Sequence, residues 1–369
     1  MGRGENQRRN SAGFLPRIES LRGVAALTVA VLHATTPLIA QPAQGRLDQA
    51  GLFAIKALTN GYGAVVAFFV ISGFVLARSL DRNFDARGFA IARAFRLLPA
   101  AAAAVGVIAI LHALFGYALN GAVSYGPVNI ILNMLMLRVN IVVVMWSMKA
   151  ELAATPLIFV CSWIGRAGKP HRLLLVAGAL FAFSFIGQYC HALGKDTNLG
   201  PLFAFPIGVW LHFGGRKLVE RLSTSSAVLV AGSAIVVFCG CSFFNTVASV
   251  GLLAECLSAA ALVALIAYRD GETMFAPLDH PLMHFFGKIS YSFYLLHPLS
   301  LWSAVRVAEY VQRVGDLPVS VIALAAAVYS IAATTPFAYV SWRFVETPFV
   351  RLSKSTLRQE TSSARVVAT

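Results

Sequence analysis

The sequence predicts an all-α, polytopic bundle of transmembrane helices, and three observations predict it. Of 369 residues, 58% are hydrophobic and only 12% charged, with a mean hydropathy of +0.72, far from the composition of soluble globular chains. A bilayer core is crossed by roughly 20 mostly apolar residues, and the chain offers about ten such runs. Although the formal net charge is +14, the basic residues are spread through the connections between runs rather than gathered on one face, which argues against nucleic acid as a partner.

The runs, in order, are 20–41, 61–80, 98–117, 141–164, 173–193, 199–214, 225–244, 248–267, 284–304 and 318–342. Basic residues ahead of the first run imitate a signal peptide, but the run outlasts the 7–15 residues of a signal h-region and further spans follow, so it is read as helix one. The second contains "FFVISGF", where Ser72 and Gly73 mark a close helix contact. The third is alanine-rich from Ala100, which suits small-residue packing in lipid. The fourth carries "MWSMKAEL", and the stretch 128–164 has room for an extra half-helix on the outer side. Cys161, Cys190, Cys239, Cys241 and Cys256 lie in or beside the apolar runs without metal-ligand spacing, and their odd number speaks against a disulfide framework. The ninth run holds His297 in "ISYSFYLLHPL", with Tyr291 and Tyr294 near it, and the tenth leads into "WRFVETP". No internal repeat of the transporter kind is visible.

Basic residues alternate between the connections. Arg3, Arg8, Arg9, Arg17 and Arg22 precede the first run; Arg78 to Arg96 follow the second; Arg166 to Arg172 follow the fourth; and Arg343 to Arg365 close the chain. The intervening loops carry fewer, among them Arg46, Lys56, Lys195, Arg306 and Arg313. By the positive-inside rule both termini are expected in the cytoplasm, in keeping with an even number of spans. The expected organisation is a tail over 1–16, a membrane domain over 17–350 and a tail over 351–369.

Ionisable groups inside an apolar bundle are costly and usually face a polar cavity or the bundle interior. Arg22 and His33 stand eleven residues apart in the first run. On a helix that spacing places both on one face, about 16 Å apart along the axis. His33 is then either a working imidazole or one that hydrogen-bonds a neighbouring helix. Arg93 and Arg96, three apart in "ARAFRLLPA", point the same way if that segment is helical. Two such guanidiniums suit bidentate phosphate binding, and they equally suit cytoplasmic anchoring. Ser147 and Glu151, four apart, share a face of the fourth run. Glu151 is expected to be neutral or paired with a cation such as Lys149, Arg22 or a protonated His33.

"RIESLRGVAALTVAVLHA" with its Arg-x10-His spacing, "FFVISGFVL", the Arg-x-x-Arg of "RAFRLLP", "WSMKAEL", "ISYSFYLLHP" and "WRFVETP" together, in that order, resemble the integral membrane acyltransferase 3 family. The resemblance runs from about Arg17 to Pro348. It implies a bacterial inner-membrane O-acyltransferase of about ten helices that moves an acyl group, commonly acetyl from cytoplasmic acetyl-CoA, to a hydroxyl of a cell-surface or lipid-linked glycan. It further implies that His33 is the catalytic histidine, Arg22 its companion, Arg93 and Arg96 the Arg-x-x-Arg pair, and Ser147 and Glu151 the Ser-x-x-x-Glu pair. Glu19 stands where the family often has an aspartate, and Lys149 where it often has a small or polar residue. No appended periplasmic esterase-like domain is expected after Thr369.

Combining both readings, the donor's phosphates are expected on Arg93, Arg96 and Arg22, with Ser147 also at the donor site. The thioester would extend toward His33, and Glu151 would orient or charge-balance the imidazole. Proton abstraction by His33 and an acyl-histidine intermediate are both compatible with the residues. The reading from another class is a transporter or flippase for a lipid-linked sugar, with His33 and Glu151 as a proton relay. No metal is expected, and the acceptor glycan and oligomeric state are not legible.

Overall fold

The computed structural model describes residues 15–356 apart from 120, 122, 188, 245–248 and 270–271, and its regular elements are all helical. Arg3, Arg8, Arg9, Arg358 and Arg365 lie outside the described residues. Seven stretches among those described are long and apolar enough to cross a membrane: Pro16–Ile39, Arg46–Arg82, Ala86–Phe115, Val143–Arg166, Thr224–Cys241, Val250–Tyr268 and Val319–Thr356. The three other expected runs fall on shorter or interrupted helices. His171–Gly187 is a 17-residue helix. The run near 200–215 passes from 3-10 through α to π geometry, with Pro201 and Pro206 unable to donate a ladder hydrogen bond. The run at 284–304 is divided between Pro281–Leu296 and Pro298–Val314, at His297.

Six helices come first in the chain. They are α1 (Pro16–Ile39), α2 (Arg46–Leu58), α3 (Gly61–Arg82), α4 (Ala86–Phe115), α5 (Pro127–Met134) and α6 (Trp146–Ala153). Counting onward through α7 (Thr155–Arg166) to α12 (Ser249–Tyr268), the last three are α13 (Pro281–Leu296), α14 (Pro298–Val314) and α15 (Val319–Ser341). α5 is the short helix for which 128–164 leaves room. Asp85 starts α4 by accepting from the backbone nitrogens of Arg87 and Gly88 at 3.1 and 3.0 Å, which fixes where Arg93 falls two turns on. Pro156 near the start of α7 ends the preceding helix, so Ser147 and Glu151 share the one short helix α6.

α1 is central, packed against α13, α3 and α15. α1 and α13 run in the same direction in a fixed register. Ser20 Oγ lies 3.0 Å from Nδ1 of His284, and His33 Nδ1 lies 2.8 Å from Nε2 of His297, each pair 264 residues apart. Glycines at the crossing make this register possible: a methyl group on Gly23 would lie 2.5 Å from the backbone nitrogen of Gly287. Close approach through small residues is how helices associate when lipid removes the hydrophobic drive between them. One end of the bundle gathers Arg17 with Asp279, and Arg166 with the carbonyls of Leu80 and Asp81. This is the basic end, and α14 lies toward the opposite one.

Candidate active site

Two of the polar centres inside the bundle make up the candidate site. The first is built from α3, α4 and α6. Arg93 is 5% exposed and Glu151 7%, and Nη2 of Arg93 lies 2.8 Å from Oε1 of Glu151. Ser72 Oγ donates to the same carboxylate oxygen. The cation for Glu151 is therefore Arg93 of α4, and not Lys149, Arg22 or His33 as expected. Lys149 turns away and donates to the carbonyl of Leu137 at 2.7 Å. Both partners meet one oxygen of the carboxylate, and Arg93 Nε is buried without a hydrogen-bond partner.

Around this pair lie Arg22, Arg96, Glu19 and Glu346, which act on one another electrostatically. Arg22 and Arg96 keep partial exposure. Glu346 sits in the π turn Trp342–Glu346 after α15 and accepts from Ser292 Oγ at 3.2 Å. Three guanidiniums thus face three carboxylates, a formally balanced cluster.

The second centre is the pair His33 and His297. The rings are nearly coplanar, 11° apart, with centroids at 5.1 Å. His297 is fully buried, whereas His33 lines a cavity of about 550 Å³. Tyr117, Val144, Trp302, Arg306 and Glu309 also line it, and Arg22, Arg93 and Arg96 do not. The opening described at His33 is therefore toward the end opposite the arginines. Trp302 is 57% exposed, with Tyr117 edge-on at 6.4 Å and the Arg306 guanidinium over its ring at 5.6 Å.

Tyr294 lies between the centres, bonded to one through its hydroxyl and to the other through its carbonyl. One turn from Glu151 on α6, Ser147 Oγ donates to Tyr294 Oη at 2.9 Å, and Tyr294 Oη donates to the carbonyl of Val144 at 3.1 Å. The Tyr294 carbonyl in turn lies 2.6 Å from Nδ1 of His297. Ser147 is thus buried against Tyr294, and Arg93 is engaged by Glu151. Neither a hydrogen bond nor an ion pair joins Glu151 to His33; the imidazole's partner is His297.

Ser72, Tyr294, His297 and Glu346 complete the site beyond the six residues singled out by spacing. A histidine followed by a proline at the end of an apolar run was the available signal for His297, since the proline interrupts the helix there. Among the described residues no group of three or more His, Cys, Asp or Glu side chains is placed to hold a metal ion.

A family model described as an acyltransferase domain, of the acyltransferase 3 type, matches residues 15–343. Comparison with curated proteins and with solved structures returned no match.

Proposed function

The chain belongs to the acyltransferase 3 family, and from that membership and the geometry of the site we propose that it is a membrane O-acyltransferase. It takes an acyl group, acetyl by preference, from acyl-CoA at the basic end and passes it to a hydroxyl of a cell-surface or lipid-linked glycan entering from the opposite end. The basic end faces the cytoplasm of a bacterium, and the bundle sits in the inner membrane.

The observation that carries this reading is the position of His33. One ring nitrogen is held by His297 while the side chain lines a cavity large enough for a sugar. Trp302 and Tyr117 offer aromatic faces to the apolar side of a sugar ring, and Arg306 and Glu309 offer hydrogen bonds to its hydroxyls. On the donor side, Arg96 and Arg22, with exposed Lys288 beside them, suit the anionic head of CoA. Arg22 and His33 lie about 16 Å apart along α1, so the donor must reach inward through an extended arm, which CoA supplies. Arg93 and Glu151 hold the arrangement without touching the donor.

In the reaction His33 accepts the proton of the acceptor hydroxyl as its oxygen attacks the thioester carbonyl. The new C–O bond forms, the C–S bond breaks, and the proton passes to the departing thiolate, giving an ester and free CoA. The test is release of free CoA by purified protein in the presence of a glycan acceptor. His33→Ala is expected to lower kcat by roughly 10²- to 10⁴-fold, the usual worth of a positioned acid–base group. A wild-type rate in that variant, or transport of the glycan unchanged without ester formation, would overturn the reading.

A further inference from the structure

We infer that His297 is a positioning residue that sets the tautomer of His33, and that Pro298 in turn sets the tautomer of His297. The inference rests on the acyltransferase reading only for its consequence in catalysis; its structural content stands by itself.

The chain of causes begins in the sequence. In a continuous helix the carbonyl of residue 294 would accept from the backbone N–H of residue 298. Residue 298 is proline and has no N–H, so the Tyr294 carbonyl loses its helical donor. An orphaned carbonyl in the bundle interior must find another. His297 Nδ1 lies 2.6 Å from it, and since a carbonyl only accepts, Nδ1 carries the hydrogen.

The second link follows from charge. No carboxylate hydrogen-bonds to either ring among the described residues, and a cation buried without a partner is what an apolar bundle avoids. In neutral His297 a protonated Nδ1 leaves Nε2 as an acceptor. Nε2 faces Nδ1 of His33 at 2.8 Å, so His33 must donate there. Its own proton is thereby fixed on Nδ1, and Nε2 is left with the lone pair. That nitrogen is the only one available to an acceptor hydroxyl in the cavity.

The relay from carbonyl to His297 to His33 therefore does for this imidazole what a carboxylate does for the histidine of a hydrolytic triad, fixing orientation and tautomer, but without a charge. The fixed register of α1 on α13, with Gly23 against Gly287, brings the two rings within bonding distance.

The experiment uses full-length protein, labelled with 15N at histidine and reconstituted in bilayers. The His33 resonances are assigned by their loss in His33→Gln. The wild type should show His33 protonated at Nδ1 and bare at Nε2. In His297→Leu, which removes the acceptor, both forms of His33 should appear, and kcat should fall by about 10- to 10⁴-fold, the range set by outer partners and wrong tautomers elsewhere. KM for acyl-CoA should stay within about twofold, because a tautomer fixed for proton transfer acts on kcat. His297→Gln places an amide oxygen near the position of Nε2 and should restore most of the rate. Pro298→Ala returns an N–H to the Tyr294 carbonyl and should lower kcat while mixing the tautomers of His297.

His33 bare at Nδ1 in the wild type would overturn the inference, as would an undiminished kcat in His297→Leu. Unchanged tautomers in Pro298→Ala would remove the proline from it. The spectra need no turnover, so a failure of the acyltransferase reading, seen as wild-type activity in His33→Ala, remains distinct from a failure here.

Discussion

Glu151 and His33 are both ionisable, both inside the bundle and both reached from α1, α3, α4, α6 and α13, yet they are held in opposite ways. Glu151 is closed off, with a guanidinium on one oxygen and a hydroxyl on the same atom. His33 has the ring of His297 on one nitrogen and a cavity beside it. A charge in a low-dielectric interior is held by an opposite charge, and a carboxylate tied to a guanidinium is a weak proton acceptor. A proton acceptor needs the reverse, one fixed nitrogen and one open. On the proposed function the difference gives Glu151 an architectural part and His33 the reaction, although by spacing alone the two looked like members of one catalytic pair.

The largest effect is expected at Glu151. Glu151→Ala leaves Arg93 as a buried charge without its carboxylate and should destabilise the fold by about 3–5 kcal/mol. Arg93→Ala should do the same in the opposite sense of charge. The double variant should recover much of the loss, because no buried charge of the pair is then left alone. His33→Ala, by contrast, should leave the thermal midpoint close to wild type. Thermal unfolding in detergent of the four proteins measures all of this. A double variant no more stable than the singles, or a large loss of stability in His33→Ala, would erase the distinction.

Smaller effects should separate the two openings of the site. Arg96→Ala removes a guanidinium from the basic end and should raise KM for acyl-CoA by roughly ten- to a hundredfold, the worth of one charge-assisted hydrogen bond. It should leave KM for the glycan unchanged. Trp302→Ala should do the reverse, raising KM for the glycan by a few-fold to about tenfold through the lost aromatic face. Initial rates with each substrate varied in turn give both constants. Parallel changes in the two would mean that donor and acceptor share one entrance.

What the sequence made legible was local. Hydropathy marked the apolar runs, and the helical period put Arg22 and His33 on one face and Ser147 beside Glu151. The half-helix α5 followed from a run too long for one span. Partnerships across helices were not legible, because they depend on register. Nothing in "FFVISGF" says that Ser72 faces Glu151 rather than merely sparing room next to Gly73. Nothing in "MWSMKAEL" says that Arg93, 58 positions earlier, is its cation. His297 could be noticed as a histidine before a proline, but its bond to His33 needs α1 and α13 parallel and offset by 264 residues. The cavity is less legible still, since its walls come from α1, α14, the segment after α4 and the turn before α6.

The same chemistry as Arg93 and Glu151 recurs at the edge of the bundle, where burial is only partial, and there the smallest effect is expected. Arg17 grips Asp279 with two hydrogen bonds, Nε to Oδ1 at 2.8 Å and Nη2 to Oδ2 at 2.6 Å, and the Asp279 side chain is 47% exposed. The hydrogen bonds from Arg17 hold its carboxyl below the usual aspartate range. A carboxylate whose folded value is depressed adds stability that is fully present above its unfolded value, about 3.9, and is lost as pH falls through the folded one. Solvent screening limits the contribution to less than about 1 kcal/mol. Asp279→Asn should therefore lower the thermal midpoint slightly and by a constant amount from pH 5 to 8. The gap from wild type should close as the pH is taken below about 4, and shrink with added salt. If instead Asp279→Asn cost as much as Glu151→Ala, burial would not be what separates the two pairs, and the assignment of Glu151 to architecture would lose its physical basis.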